Sequence, residues 1–123
     1  MGLYSDLKDI SVTLTGATKS AAFRVDGGFT IMAVETDSSW STADISFEAS
    51  SQEFNGGDPN FAITDARFKP AFDKDHVAVG ALGVTASCFE NVGGNLVGHF
   101  FKLVSSVSQT GPTTVKVFYR LIA

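Results

Sequence analysis

The stretch Ala43-Asp44-Ile45-Ser46-Phe47-Glu48-Ala49-Ser50 alternates apolar and polar residues without a break. Successive side chains of an extended chain point to opposite faces. An octet of this kind is therefore a half-buried β-strand, dry on the side of Ile45 and Phe47 and wet on the side of Asp44, Ser46 and Glu48. The same period of two recurs along most of the chain, and no helical period competes with it.

Upstream, residues 9–15 place Ile10, Val12 and Leu14 on one face, and Gly16 follows as a turn residue. Residues 20–25 do the same with Ala21, Phe23 and Val25, and the Asp26-Gly27-Gly28 that follows reads as the tight turn of a β-hairpin. Its second strand, residues 29–34, is apolar on both faces, as a central strand is. Residues 36–41 form a polar loop that carries Trp40.

Downstream of the octet, residues 51–60 hold Asn55, Gly56, Gly57, Asp58 and Pro59 and read as a loop. Residues 61–64 read as a short edge strand. Residues 65–75 are charged and interrupted by Pro70, leaving room for no more than a helical turn before the proline. Residues 76–81 and 84–89 are two strands, or one strand bent at Gly83, because glycine inside a strand often marks a bulge. A Gly-rich turn over 90–96 precedes strands at 99–104 and 113–122, which are joined around Gln109, Gly111 and Pro112.

Many short strands, regular turn signals and no helix predict an all-β fold, an antiparallel β-sandwich formed by one domain over residues 1–123. The Cys and Trp spacing of an immunoglobulin domain is absent, which favours a jelly-roll-like order.

Composition narrows the function classes. Nine Lys and Arg against 13 Asp and Glu give a net charge of -4, and the cations are scattered singly, so nucleic acid is not an expected partner. No apolar run has membrane-spanning length, and the opening MGLYSDLKDI lacks the basic and apolar regions of a secretion signal, so synthesis in a cytoplasm with no membrane partner is the expectation. Cys88 stands alone, which excludes an internal disulfide, and its neighbours Ala86 and Phe89 predict a buried, inert thiol. Phe supplies 11 of the aromatic residues against two Tyr and one Trp, a bias toward packing rather than toward a stacking platform. A hydrophobic share of 44% is high for so small a domain and fits either apolar surface shared between subunits or a Phe-rich monomer core.

The search for catalytic chemistry finds no constellation. His76 and His99 are the only histidines, both fall inside predicted strands, and no G-x-S-x-G motif accompanies them. Asp73, Lys74, Asp75 and His76 lack the further oxygen ligands and the glycine of a calcium loop, and zinc needs more His or Cys than the chain has. Gly27 and Gly28 precede a strand rather than a helix, so no helix N-terminus cradles phosphate there. No catalytic residue, metal ligand or cofactor is expected. The candidate partner-binding residues are Trp40, a lone tryptophan in a polar loop that could stack on sugar or dock a protein, and Phe54, Asn55 and Asp58 of the Gly-rich loop. The competing reading of Trp40 is a cap on the core.

Three stretches carry a family resemblance: Phe23-Arg-Val-Asp-Gly-Gly-Phe-Thr-Ile-Met-Ala-Val-Glu-Thr, Ser39-Trp-Ser-Thr-Ala-Asp-Ile-Ser-Phe-Glu-Ala-Ser and His99-Phe-Phe-Lys-Leu-Val-Ser-Ser. In order and spacing they resemble a family of small proteins encoded among tailed-phage structural genes. Members have an apolar strand before a Trp-Thr loop, a strand of the form A-x-I-x-F-x-x-S, and an L-K-L-x-S strand near the C-terminus. The resemblance implies a virion component, a capsid decoration or cement protein of jelly-roll type on the capsid surface. It would bind itself as a homotrimer and the major capsid protein. The loops over 51–60 and 65–75 depart from that pattern. The alternative expectation is a receptor- or glycan-binding module of a phage head or tail fibre, acting through Trp40 and the 51–60 loop.

Overall fold

The computed structural model describes residues 7–25, 29–50, 52, 55, 57–64, 67–92, 96 and 98–121. Among these, the strands are β1 (Lys8–Leu14), β2 (Ala17–Lys19), β3 (Phe23–Arg24), β4 (Phe29–Thr36), β5 (Ala43–Ser50), β6 (Phe68–Pro70), β7 (Gly80–Val84), β8 (Phe89–Asn91), β9 (Phe100–Gln109) and β10 (Thr113–Leu121). The opening octet is β5, with the bounds its alternation predicts.

All pairings are antiparallel and fall into two sheets. The first has the order β1-β10-β4-β8. In the second, β9 pairs β5 at the centre, β2 and β3 share the free edge of β9, and β6 and β7 share the free edge of β5. One hydrophobic core joins the sheets into a β-sandwich. Leu14, Ile31, Val34, Val115 and Val117 of the first face Ile45, Phe47, Phe101 and Leu103 of the second. Phe47 is almost wholly removed from water, and truncating such a side chain to alanine destabilises by about 3–5 kcal/mol.

The double-sided apolar pattern of β4 has a local cause. Against β10, Ala33 pairs Phe118 and Ile31 pairs Tyr119, so Met32 is an extra residue in a bulge. The bulge resets the alternation, and Ile31 and Val34, three residues apart, both reach the core. Met32 is left exposed while its carbonyl accepts the Val92 N–H at 2.9 Å.

Several expectations are corrected. β3 and β4 are not a hairpin: β3 pairs β9 in one sheet and β4 pairs β10 in the other. A short glycine connection serves a crossing between sheets as well as a tight turn, and Asp26, Gly27 and Gly28 themselves lie outside the described residues. Residues 61–64 form no strand; the edge of β5 is taken by β6, in which Pro70 sits opposite Glu48. Proline is tolerated there because an outer strand needs no second set of N–H donors. His76 is at the tip of a turn with φ 61°, and His99 precedes β9. Cys88 is half-buried, with Sγ donating to Glu90 Oε1 at 3.3 Å, and Phe89 beside it is exposed.

Candidate functional site

The second sheet turns Asp44, Ser46 and Glu48 of β5 outward, and a segment of chain folds back over part of that face. β6 and β7 pair opposite halves of β5, the Ala71 N–H still donates to the Phe47 carbonyl at 3.0 Å, and residues 72–78 between them leave the sheet. They do so as a small hairpin closed by the Phe72–Ala78 bridge and by the Asp73 N–H donating to the Val77 carbonyl at 2.8 Å. The Asp73 carboxylate holds the turn, Oδ1 accepting the N–H groups of Asp75 and Val77 at 2.9 and 3.0 Å. This Asx arrangement gives Asp73 a role in shaping the turn. Among the described residues no group of three or more His, Cys, Asp and Glu side chains could hold a metal ion.

β7 is seated by two glycines. A Cβ at Gly80 would collide with the carbonyl oxygen of Ile45, so only glycine allows this approach to β5. The register then shifts: Ala43 pairs Val84 and Ile45 pairs Ala81, leaving Leu82 and Gly83 opposite Asp44. Gly83 has φ +59°, which favours glycine, and its N–H donates to Asp44 Oδ1 at 2.8 Å. The bulge turns Leu82 outward, where it is 84% exposed.

Between this wall and the sheet lies an open groove of about 570 Å³. Its floor is made by Asp44, Ser46, Val104 and Ser106 of the paired strands β5 and β9, with Ser106 Oγ accepting the Asp44 N–H at 2.9 Å. Its wall includes Asp73, Val77, Ala81 and Leu82, and the lining is mostly apolar. Val77 is 58% exposed. Among the described residues, the two carboxylates are the only ionisable side chains in the lining. A concave, mostly apolar surface that also carries two carboxylates and two serine hydroxyls is suited to holding a ligand or a partner segment.

Trp40 is no part of this groove. It is 4% exposed, belongs to the core, and donates from Nε1 to the Val84 carbonyl at 2.9 Å. A buried ring offers no face to a sugar, so the stacking role falls and the competing reading, a cap on the core, holds. Asn55 and Asp58 are exposed, but their side chains close turns: Asn55 Oδ1 accepts the Gly57 N–H and Asp58 Oδ1 the Asn60 N–H. Phe54 lies outside the described residues. Trp40 precedes β5 and Asn55 and Asp58 follow it, at opposite ends of an eight-residue strand that spans about 23 Å at 3.3 Å per residue.

The groove was not foreseen in the sequence, and the alternation of β5 gives only its floor. The available signal was the pair of glycines Gly80 and Gly83 flanking Ala81 and Leu82, an apolar residue set in a bulge. Comparison with known proteins adds no relative: no family model, no curated protein and no solved structure matches this chain.

Proposed function

We propose that the protein is a structural virion component, a capsid decoration or cement protein that binds between capsomers and stabilises the shell, with the 570 Å³ groove as its docking surface. The observation that carries the reading is the outward-turned apolar wall of β7, where Leu82 is held in water by a bulge that glycines alone permit. A leucine left exposed forgoes about 2 kcal/mol of burial, which docking against a partner recovers.

Strand order supports the jelly-roll part of the reading. With β2 and β3 taken as one broken strand, and β6 and β7 as another, each sheet has four strands and chain-adjacent strands mostly alternate between sheets, as in a double Greek key. Self-association as a homotrimer fits a second apolar area on the outer face of the first sheet, where exposed Phe89 packs on Phe118 with centroids 5.3 Å apart. A shell repeats its junctions many times, so a symmetric oligomer gains by multivalency even from modest contacts.

The test is co-sedimentation with shells assembled from the major capsid protein. Wild-type protein is expected to pellet with the shells and to raise their resistance to heat, while Leu82→Asp stays in the supernatant with an unchanged circular-dichroism spectrum. Wild-type protein that remains in the supernatant, or a variant that pellets equally, contradicts the reading.

A further inference from the structure

The lining of the groove specifies more than apolar contact. Its floor and wall bring Asp44 and Asp73 to a surface otherwise made by Val77, Ala81, Leu82 and Val104, and neither carboxylate has a cationic partner among the described residues. Lys19 is engaged with Glu48 at 2.7 Å, and Lys74 reaches Asp75 rather than Asp73. Each aspartate uses Oδ1 to fix a turn, through the Gly83 N–H in one case and the Asp75 and Val77 N–H groups in the other. Those bonds pin the carboxylates in place, so the negative field over the groove is built into the backbone of its wall.

We infer that the groove takes an extended segment of a protein partner in which an arginine or lysine stands beside aliphatic residues. The aliphatic side chains pack on Val77, Leu82 and Val104, and the cation is held at Asp44 and Asp73. Charge complementarity selects this occupant over an acidic or purely apolar one, because an uncompensated carboxylate covered by apolar surface is strongly unfavourable. The open trough, with a leucine standing free at its rim, suits a strand of chain better than an enclosed small molecule. This rests on the capsid-binding reading for the partner's identity, and on the groove alone for its chemistry.

The experiment is an NMR titration of the ¹⁵N-labelled protein at low ionic strength with two blocked peptides, acetyl-Gly-Leu-Arg-Leu-Gly-amide and its Glu counterpart. The Arg peptide is expected to shift the amides of Gly80, Ala81 and Gly83 and to bind about tenfold more tightly than the Glu peptide, a preference that added salt weakens. The double variant Asp44→Asn with Asp73→Asn keeps both Oδ1 acceptors and so keeps the turns, and it is expected to bind the two peptides alike. Equal binding of both peptides to wild type, shifts confined to other regions, no binding at millimolar peptide, or a preference that survives in the double variant overturns the inference. Shell binding that depends on Leu82 together with no charge preference leaves the capsid reading standing and this inference refuted. Charge-selective peptide binding without shell binding does the reverse.

Discussion

Gly80 and Ile45 meet backbone to backbone: the strand that carries the groove wall crosses β5 so closely that a single methyl group at residue 80 would strike the carbonyl oxygen of residue 45. The contact lies where β7 begins to pair, one residue before the register shift that exposes Leu82. Gly80→Ala must push β7 off its neighbour. We expect a loss of about 1–3 kcal/mol in urea unfolding, the range found when a packed site is overfilled, and altered amide shifts through residues 80–84. A stability within 0.5 kcal/mol of wild type would show that the close approach is not a constraint.

Trp40 supplies a direct check on the closed end of the sandwich. It is the only tryptophan, and its ring is buried with Nε1 bound to the Val84 carbonyl. The native emission maximum is therefore expected to be blue-shifted and poorly quenched by acrylamide, and to move red on unfolding. Trp40→Phe removes the donor and leaves the carbonyl short of a partner, a loss of about 1–3 kcal/mol. Strong quenching of the native protein would contradict this burial.

Gln109 ties the end of β9 to the loop before β5. It is fully buried, its Oε1 accepts the Ser41 N–H at 2.8 Å, and its Nε2 donates to the Ser41 carbonyl and to Ser105 Oγ at 3.0 and 3.1 Å. Gln109→Leu fills similar volume but strands the Ser41 backbone groups. A destabilisation of about 2–4 kcal/mol is expected, since buried polar groups without partners are penalised more than the bonds themselves contribute. A neutral substitution would mean that water reaches Ser41.

Self-association is read from solution mass. Light scattering is expected to give about 39 kDa, three times the 13.0 kDa chain, with Phe89→Asp reducing it to the monomer. A wild-type monomer at micromolar concentration would contradict the trimer.

Much of the fold is legible wherever one face of a strand is dry and the other wet. β5 has the bounds its alternation predicts, and in β10 Val115, Val117 and Tyr119 point inward as their spacing requires. Failures come where pairing is decided at long range. β9 runs on to Gln109 through Ser105, a polar residue that alternation discards but that is buried and hydrogen-bonded to the Val107 carbonyl. β6 is hidden by Pro70, and the β3–β4 connection reads as a hairpin because glycine signals a change of direction without saying which sheet receives the next strand. The groove escapes for a similar reason. It arises from a one-residue register shift between β5 and β7, and no local pattern encodes the register of strands some 35 residues apart. Trp40 lies in a polar loop by sequence, yet its large apolar ring packs into the core and its Nε1 is satisfied by the Val84 carbonyl, the cap that the sequence offered as one of two readings.

In the proposed function, the β7 side of the second sheet docks on a shell. Electron cryomicroscopy of shells formed from the major capsid protein, imaged with and without this chain at saturating concentration, tests it most directly. Extra density is expected over the junctions between capsomers, fitted by the sandwich with Leu82 and Val77 toward the shell. Shells that carry no added density, or density fitted only with that face turned to solvent, would contradict it.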